Sequence, residues 1–228
     1  VSLLAMAAVF LRDTNLPKAA TREIPIEFSS VSFLEEALLR LKLPRDIETY
    51  GEVLKTLGLY RGKKIIGNLK PEYNNPPDWD LALRIPENQK IVFETDSGNI
   101  EVELWPDKAP ATCAWFLKLI REEFFNEKRV HRVVPGFVIQ SGCPRGDGFG
   151  SLMQTIRTEI HEDAVFNQGT LGMANAGEDT ESCQWFITQA ETPHLNGRYT
   201  AFGKVVGGME NVFRLNRGAI IRKVSIRN

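Results

Sequence analysis

A cationic side chain and an amide stand at the two ends of a short apolar run within residues 131–150, HRVVPGFVIQSGCPRGDGFG. Arg132 precedes the run and Gln140 ends it. The run alternates with the two-residue period of a strand, which would turn successive side chains towards a core and a cleft. Arg132, Phe137 and Gln140 are therefore predicted to line one groove. Because an arginine stays charged and carries several N–H groups in a fixed fork, this groove could present hydrogen-bond donors beside an apolar wall.

Two further stretches accompany this one in a fixed order along the chain. Residues 91–120 read IVFETDSGNIEVELWPDKAPATCAWFLKLI, and residues 169–209 read GTLGMANAGEDTESCQWFITQAETPHLNGRYTAFGKVVGGM. Together with residues 131–150, these blocks resemble the cyclophilin family of peptidyl-prolyl isomerases, and in particular its bacterial members. A lone HRV motif would carry little information, whereas three blocks in the family's order and with family-like spacing are specific.

The reaction that this resemblance implies is rotation about an X–Pro peptide bond. The rotation works against a partial double bond with a barrier of about 18–20 kcal/mol, and no bond to a nucleophile has to form. Amide resonance is lost in the twisted transition state, so the proline nitrogen regains a lone pair that can accept a hydrogen bond. Catalysis then needs a donor aimed at that nitrogen and a socket for the proline ring, and the resemblance implies neither a cofactor nor a metal.

The resemblance also assigns roles to individual residues. It implies that Arg132 donates to the proline nitrogen, while Gln140 orients Arg132 or holds the substrate backbone. If one such transition-state hydrogen bond contributes about 3–4 kcal/mol, losing Arg132 should slow turnover by roughly 10²- to 10³-fold. Taken alone, Arg132 would more often be a surface ion-pair partner of a residue such as Glu127. The implied socket for the proline ring consists of Phe137, Val138, Phe186 and Leu195.

Other residues would bind the peptide on either side of the proline. Ala174 and Asn175 would line the subsite before the proline, where the Asn175 backbone would pair the extended peptide like an added strand. Three positions of the wall depart from the family's commonest pattern. This chain has Val138 where a methionine is usual, His194 where many members have a tryptophan, and Tyr199 where a histidine is frequent. None of these changes affects the predicted donor. Activity is therefore expected to survive, while substrate preference and the binding of cyclosporin-type inhibitors are expected to differ.

The pattern from Ile91 onward predicts a mainly β domain. An alternating hairpin is followed by an amphipathic helix that starts at Pro110, by short strands with Gly-rich turns, by a short helix at 209–218 and by a last strand at 220–226. Strands with two separated helices favour a closed antiparallel β-barrel capped by two α-helices. The cyclophilin resemblance implies the same architecture, with the cleft on the outer face of the barrel.

The residues before this domain follow a different pattern. Residues 31–43, VSFLEEALLRLKL, and residues 47–57, IETYGEVLKTL, each carry an apolar stripe at helical spacing, and a short Pro-containing turn joins them. Residues 39–64, LRLKLPRDIETYGEVLKTLGLYRGKK, resemble the helical, HEAT-like repeats that precede the cyclophilin domain in some bacterial proteins. We therefore expect an α-helical extension at 1–60, a Pro-rich linker at 61–88 and the isomerase domain at 89–228.

Composition and charge argue against several classes of protein. With 43% hydrophobic and 25% charged residues the chain is of the globular class, and its formal net charge of -1 gives no bulk attraction to nucleic acid or to an anionic membrane. The opening residues 1–10, VSLLAMAAVF, are too short to span a bilayer and lack the flanks of a signal peptide, so they predict a buried or partner-facing helix. The compartment stays open, with the bacterial cell envelope favoured over the cytoplasm.

The cysteines and histidines do not predict a metal site. Cys113, Cys143 and Cys183 match no zinc-binding spacing, and neither do the three histidines. Cys113 is expected to be a buried thiol. Cys143 and Cys183 both flank the predicted groove, which leaves open whether they form a bridge or remain free.

Two other functions are compatible with the same residues. The domain could bind proline segments as a scaffold without useful turnover, while the helices recruit a protein partner. Residues 1–60 could also regulate the site by lying across it. The intact set of Arg132, Phe137, Gln140 and Phe186 favours the enzyme, whose substrates would be proline-containing segments of unfolded or flexible polypeptides.

Overall fold

The computed structural model describes residues 2–11, 32–62, 65 and 73–227. Its contacts divide the chain into two units, Val1–Lys70 and Pro71–Asn228. The predicted linker at 61–88 lies partly outside the described residues, at 63–64 and 66–72. The rest of that segment, from residue 73 onward, belongs to the second unit. No helix in the described ranges is both long and apolar enough to cross a bilayer.

The first unit contains the helices α1 (Ser2–Phe10), α2 (Ser32–Leu38) and α3 (Ile47–Tyr60). The Thr56 hydroxyl donates to the carbonyl oxygen of Ala8 at 2.8 Å, which ties α3 to α1. α3 continues past Gly58, where the sequence predicts its end, because one glycine inside a helix costs only about 1 kcal/mol. α2 stops short of its predicted end at Leu43. The buried apolar side chains that the three helices share are Ala8, Leu34, Val53 and Leu57.

The second unit is built on one antiparallel sheet of nine strands. In chain order these are β1 (Lys90–Thr95), β2 (Gly98–Leu104), β3 (Lys128–Arg129), β4 (Arg132–Val134), β5 (Val138–Ser141), β6 (Thr170–Met173), β7 (Trp185–Thr188), β8 (Ala201–Gly207) and β9 (Ile220–Arg227). Across the sheet they lie in the order β3-β9-β1-β2-β8-β6-β7-β5-β4. The predicted hairpin from Ile91 is β1 paired with β2, with Thr95 opposite Gly98 at its turn.

The strands do not close into the barrel that the sequence predicts. β3 and β4 are the two edges of the sheet, and no ladder joins them in the described part of the chain. Only Val130 and His131 separate β3 from β4, so one continuous stretch of chain passes from one edge of the sheet to the other. A hairpin ladder needs a turn that reverses the chain, and this short connection forms none. The architecture is therefore mainly β with an open sheet.

Three helices accompany the sheet: α4 (Trp79–Ala82), α5 (Pro110–Arg121) and α6 (Met209–Arg214). α5 starts at Pro110 as predicted, and the Glu159 carboxylate accepts the N–H groups of Ala111 at 3.2 Å and Thr112 at 2.7 Å. A carboxylate at this position satisfies free helix donors and complements the helix dipole. The central core lies between α5 and the sheet and includes stacked or tilted rings of Phe93, Phe116, Phe125, Trp185 and Phe202.

The segment before β1 is docked on this unit. The Asn74 amide nitrogen Nδ2 donates to the Met153 carbonyl at 2.8 Å, and its oxygen Oδ1 accepts the Thr155 N–H at 2.9 Å. The backbone N–H of Asn74 donates in turn to the Thr155 carbonyl at 3.2 Å. One asparagine thus binds a backbone segment 81 residues further along the chain. The side chain of Trp79, in contrast, is 52% exposed.

Candidate active site

The stretch that the sequence predicts as one strand is a hairpin. β4 and β5 pair antiparallel with Arg132 opposite Gln140, and the turn between them contains Gly136 at a φ of 71°. Glycine adopts this left-handed conformation without the steric cost of a side chain. Directly opposed residues of an antiparallel pair point to the same face. The hairpin therefore sets the guanidinium and the amide side by side.

Arg132 is exposed at this hairpin. Its Cζ atom lies 5.8 Å from the centroid of the Phe137 ring, which is a cation–π distance. Arg132 forms no ion pair within the described ranges, so the pairing with Glu127 that a lone arginine would favour is not present. The guanidinium N–H groups therefore remain available to a ligand.

Gln140 is held by a second glutamine that was not predicted from the sequence. The Nε2 of Gln140 donates to Gln184 Oε1 at 3.0 Å. The Nε2 of Gln184 donates in turn to the carbonyl oxygens of Gly148 at 3.0 Å and Gly150 at 2.8 Å. Gln184 lies two positions before Phe186, so the strand period that selects Phe186 would also have selected Gln184. These bonds connect the hairpin to the Gly-rich loop that follows it.

A small apolar cluster, separate from the central core, lies beside the hairpin. We call it the outer cluster; its buried members are Val138, Ala164, Phe166, Phe186, Leu195 and Ala201. The rings of Phe166 and Phe186 stack at 5.4 Å, and Tyr199 meets Phe186 edge-on at 5.7 Å. Phe137, Ala174 and Tyr199 are partly buried and pack around the cluster. The structure thus brings most of the predicted socket and wall residues together.

The remaining two predicted residues border this cluster. His194 is exposed and stacks on the Phe137 ring at a centroid distance of 5.4 Å. It belongs to the 3-10 turn Pro193–Leu195. Asn175 follows Ala174, and its Nδ2 donates to the carbonyl of Arg198 at 3.2 Å, next to Tyr199. Within the described chain the backbone N–H and C=O of Asn175 have no hydrogen-bond partner.

The residue before Arg132 does not add charge to the site at neutral pH. His131 is buried. Burial lowers its pKa to about 4, an effect that Asp147 opposes and that the positive charges of Arg132 and Arg217 reinforce. The imidazole is therefore neutral at pH 7.

The sequence of this unit matches the model of a known family. The match to "Cyclophilin type peptidyl-prolyl cis-trans isomerase/CLD" covers residues 90–227. The chain belongs to this family. Its activity is accordingly that of a peptidyl-prolyl cis-trans isomerase.

Individual relatives agree with this assignment. The cyclophilin domain is similar to peptidyl-prolyl cis-trans isomerase B of Bacillus subtilis, at 43% identity over 132 residues that cover 58% of this chain and 92% of that protein. A peptidyl-prolyl cis-trans isomerase of Helicobacter pylori is 38% identical over 135 residues, covering 58% and 83%. The crystal structure of a cyclophilin-type isomerase of Cryptosporidium parvum superposes with a TM-score of 0.59 at 28% identity, covering 61% of this chain and 98% of that one. A second structure of that protein was determined in the presence of the dipeptide Ala-Pro.

The three cysteines of the cyclophilin domain are buried, and none of them is in a disulfide. The bridge between Cys143 and Cys183 that the sequence left open is therefore not formed. The Sγ of Cys143 instead accepts the N–H groups of Gly148 and Gly150, each at 3.3 Å. Over the ranges that the structure describes, no three histidine, cysteine, aspartate or glutamate side chains are grouped so that they could hold a metal ion.

Proposed function

We propose that this domain rotates X–Pro bonds in unfolded or flexible polypeptides, with Arg132 as the hydrogen-bond donor to the proline nitrogen. The observation that carries the proposal is the position of the Arg132 guanidinium, exposed and over the ring of Phe137, a residue that packs on the outer cluster. A donor beside an apolar surface is what the twisted imide requires. The donor gains strength as the nitrogen lone pair localises, so it binds the transition state better than the ground state.

The proline ring is assigned to the apolar surface of the outer cluster. Val138, Phe186 and Leu195 are nearly fully buried there, and the Phe166 ring stacks on that of Phe186. Phe137 would cover the ring from the side of the arginine. Gln140, fixed by its bond to Gln184, would orient the guanidinium or hold the substrate backbone.

The peptide before the proline is assigned to Ala174 and Asn175. The free backbone N–H and C=O of Asn175 can pair with an extended peptide in the way an added strand pairs with a sheet edge. His194 and Tyr199 would limit the space on the other side of the pocket. Because backbone pairing is independent of side-chain identity, this arrangement suits many different proline-containing sequences.

The decisive experiment compares the wild type with Arg132→Ala in an isomerisation assay on an X–Pro peptide. We expect kcat/KM to fall roughly 10²- to 10³-fold, because one transition-state hydrogen bond is lost. Arg129→Ala is the matched control, since Arg129 is an exposed arginine on β3, the strand that precedes β4 in the chain, and it lies outside the site. Equal rates for the wild type and Arg132→Ala, both near the uncatalysed rate, would leave a proline-binding scaffold as the function.

The division of labour along the chain is also a proposal. We assign isomerisation to residues 89–228 and the recruitment of a protein partner to the helices of 1–60. The side chains of Leu3, Met6 and Phe10 on α1 support the second assignment, because they are large, apolar and at least half exposed. A chain starting at Pro71 should keep the full kcat/KM. A rise in activity on truncation would instead indicate that the helices inhibit the site.

A further inference from the structure

Glu181 is a fully buried carboxyl group that the reaction proposed above does not use. Its exposed fraction is 0%, and it lies in the loop between β6 and β7. Oε1 accepts the Asn175 side-chain N–H at 3.4 Å and the backbone N–H of Thr200 at 3.3 Å. Oε2 lies 2.9 Å from the Thr200 hydroxyl oxygen. Every one of these contacts is made to Asn175 or Thr200.

These contacts join two parts of the peptide-binding wall. Asn175 lies just beyond the end of β6, and Thr200 stands between Tyr199 and the start of β8. The Thr200 hydroxyl also accepts the backbone N–H of Glu159 at 2.8 Å, which fixes it from the other side. The carboxyl of Glu181 is therefore the buried group that both segments share.

Burial, and not the hydrogen bonds, decides the protonation state of this carboxyl group. Oε1 accepts two N–H groups, and Oε2 accepts the hydroxyl of Thr200, whose oxygen already accepts the Glu159 N–H. Burial raises the pKa of Glu181 to about 8, although the hydrogen bonds from Thr200 and Asn175 oppose this and the nearby charge of Glu159 adds to it. Glu181 forms no ion pair within the described ranges. It therefore carries its proton at neutral pH.

The charged residues around Glu181 come from three segments. Glu159 precedes β6, and its carboxylate is bound to the N-terminus of α5. Asp179 lies in the same loop as Glu181 and accepts the Thr158 N–H at 2.9 Å. Arg198, before β8, is an exposed residue that offers its carbonyl oxygen to the Asn175 amide. An ionised Glu181 would thus be a buried charge without a cationic partner, which is costly.

We propose that Glu181 is a positioning residue of the peptide-binding wall: its carboxyl holds the Asn175 amide to Thr200, and thereby fixes the spacing between the end of β6 and Tyr199. This proposal rests on the proposed function, because Asn175 and Tyr199 are there assigned to peptide contact. Arg132 lies on a different hairpin and keeps its geometry when Glu181 is replaced. The loss on replacement should therefore appear in KM and in peptide affinity rather than in kcat.

The test compares Glu181→Ala and Glu181→Gln with the wild type, using NMR exchange on an X–Pro peptide so that kcat, KM and the peptide Kd are measured without a coupling protease. At pH 7 we expect Glu181→Ala to raise KM and Kd by about threefold to tenfold, the effect of one lost hydrogen bond, with kcat little changed. Glu181→Gln keeps a neutral side chain and the Oε1 acceptor that binds the Asn175 amide, so it should restore KM. Above pH 8 the wild-type KM should rise while that of Glu181→Gln stays flat.

A destabilised variant outside the wall serves as the control. Phe125→Leu weakens the central core, where Phe125 stacks on Phe116, and should leave KM unchanged. The proposal is overturned if Glu181→Ala binds peptide like the wild type, or if Glu181→Gln follows the wild-type pH profile. Should Glu181→Ala not fold, the pH profile of Glu181→Gln decides. A wild type that binds peptide without turnover removes the proposed function but still allows the Kd comparison to decide on Glu181.

Discussion

Arg132 stands directly opposite Gln140 across the β4–β5 ladder, and Gln140 donates to Gln184 at 3.0 Å. The register of the β4–β5 pair thus places the proposed donor, Arg132, beside the Gln140 amide. The buried side chain of Gln184, directly before β7, fixes that amide. Gln184 also donates to two carbonyls of the following loop. The hairpin, the loop and the strand β7 therefore meet at one side chain.

Replacing Gln184 with alanine should lower both activity and stability. The change leaves the Gly148 and Gly150 carbonyls without their donor, and an unsatisfied buried group such as the Gly150 carbonyl costs about 1–3 kcal/mol. It also frees the Gln140 amide, so kcat/KM should fall by about tenfold for one hydrogen bond of this size. Urea unfolding and the isomerisation assay measure the two effects. Gln168→Ala, which removes one exposed glutamine bound to the Gln189 carbonyl, should change neither. An effect on stability alone would contradict the role given to Gln140.

The outer cluster has no room for another methyl group at Gly172. A Cβ there would lie 2.6 Å from Cε1 of Phe166 and 2.7 Å from Cζ of Phe186, so both rings would have to move. Gly172→Ala should cost about 1–3 kcal/mol of unfolding free energy and weaken proline-peptide binding. Gly207→Ala is the matched control, because its new Cβ would meet Glu101 at an ordinary 3.5 Å. A variant at Gly172 with wild-type affinity would show that the Phe186 ring is not part of the proline pocket.

The sequence predicts those site residues that belong to a recognisable motif. Arg132, Phe137 and Phe186 fall in motifs, so the sequence alone selects them. The turn at Gly136 is not predicted, because the alternation of apolar residues continues through it without interruption. Gln184 is not predicted either, since its partners Gln140 and Gly150 lie on other segments.

His131 should make the second unit less stable as the pH falls. Its pKa is about 4 in the folded chain and 6.5 when unperturbed, so between these values the unfolded chain binds a proton that the folded chain does not. The free energy of unfolding should therefore drop by about 1.4 kcal/mol per pH unit as the pH falls from 6.5 to 4. His131→Phe should remove this contribution. Urea unfolding at half-unit pH steps measures it, and an unchanged acid slope in His131→Phe would refute the assignment.

Glu181 should act in the opposite direction. Its pKa of about 8 exceeds the ordinary 4.5, so between these values the folded chain holds a proton that the unfolded chain has released. Stability should then fall as the pH rises, again by about 1.4 kcal/mol per unit. Where the two pH ranges overlap, the contributions of His131 and Glu181 to the slope cancel. The free energy of unfolding of the wild type should therefore be nearly constant in the mildly acidic range and decrease at higher pH. Glu181→Gln should abolish the decline towards pH 8; its persistence would contradict the neutral buried acid.

Tryptophan fluorescence is the suitable probe for these unfolding experiments. The four tryptophans of the chain all lie in the second unit, at positions 79, 105, 115 and 185. The signal therefore reports the second unit and not the helices of the first unit. Trp185 is the most informative of them, because it is buried in the central core against Phe93 at 4.6 Å.

The fold itself is predictable where local pattern decides it. The β1–β2 hairpin, the start of α5 at Pro110 and the last strand follow from alternation and from helix-start chemistry. The open sheet does not follow, because the pairing of strands distant in sequence is not encoded in any one stretch. The docking of Asn74 on Thr155 depends on a contact across 81 residues and is likewise invisible in the sequence.

The position of β9 has a consequence for how the protein is made. β1 pairs with β2 as soon as β2 is made, but its other side stays unpaired until β9 has been made, after every other strand of this sheet. Until then the nascent chain carries a bare strand edge of the kind that recruits other polypeptides. A chain whose translation stops before Ile220 should consequently depend on chaperones to stay dispersed, although every residue assigned to the catalytic pocket has already been synthesised.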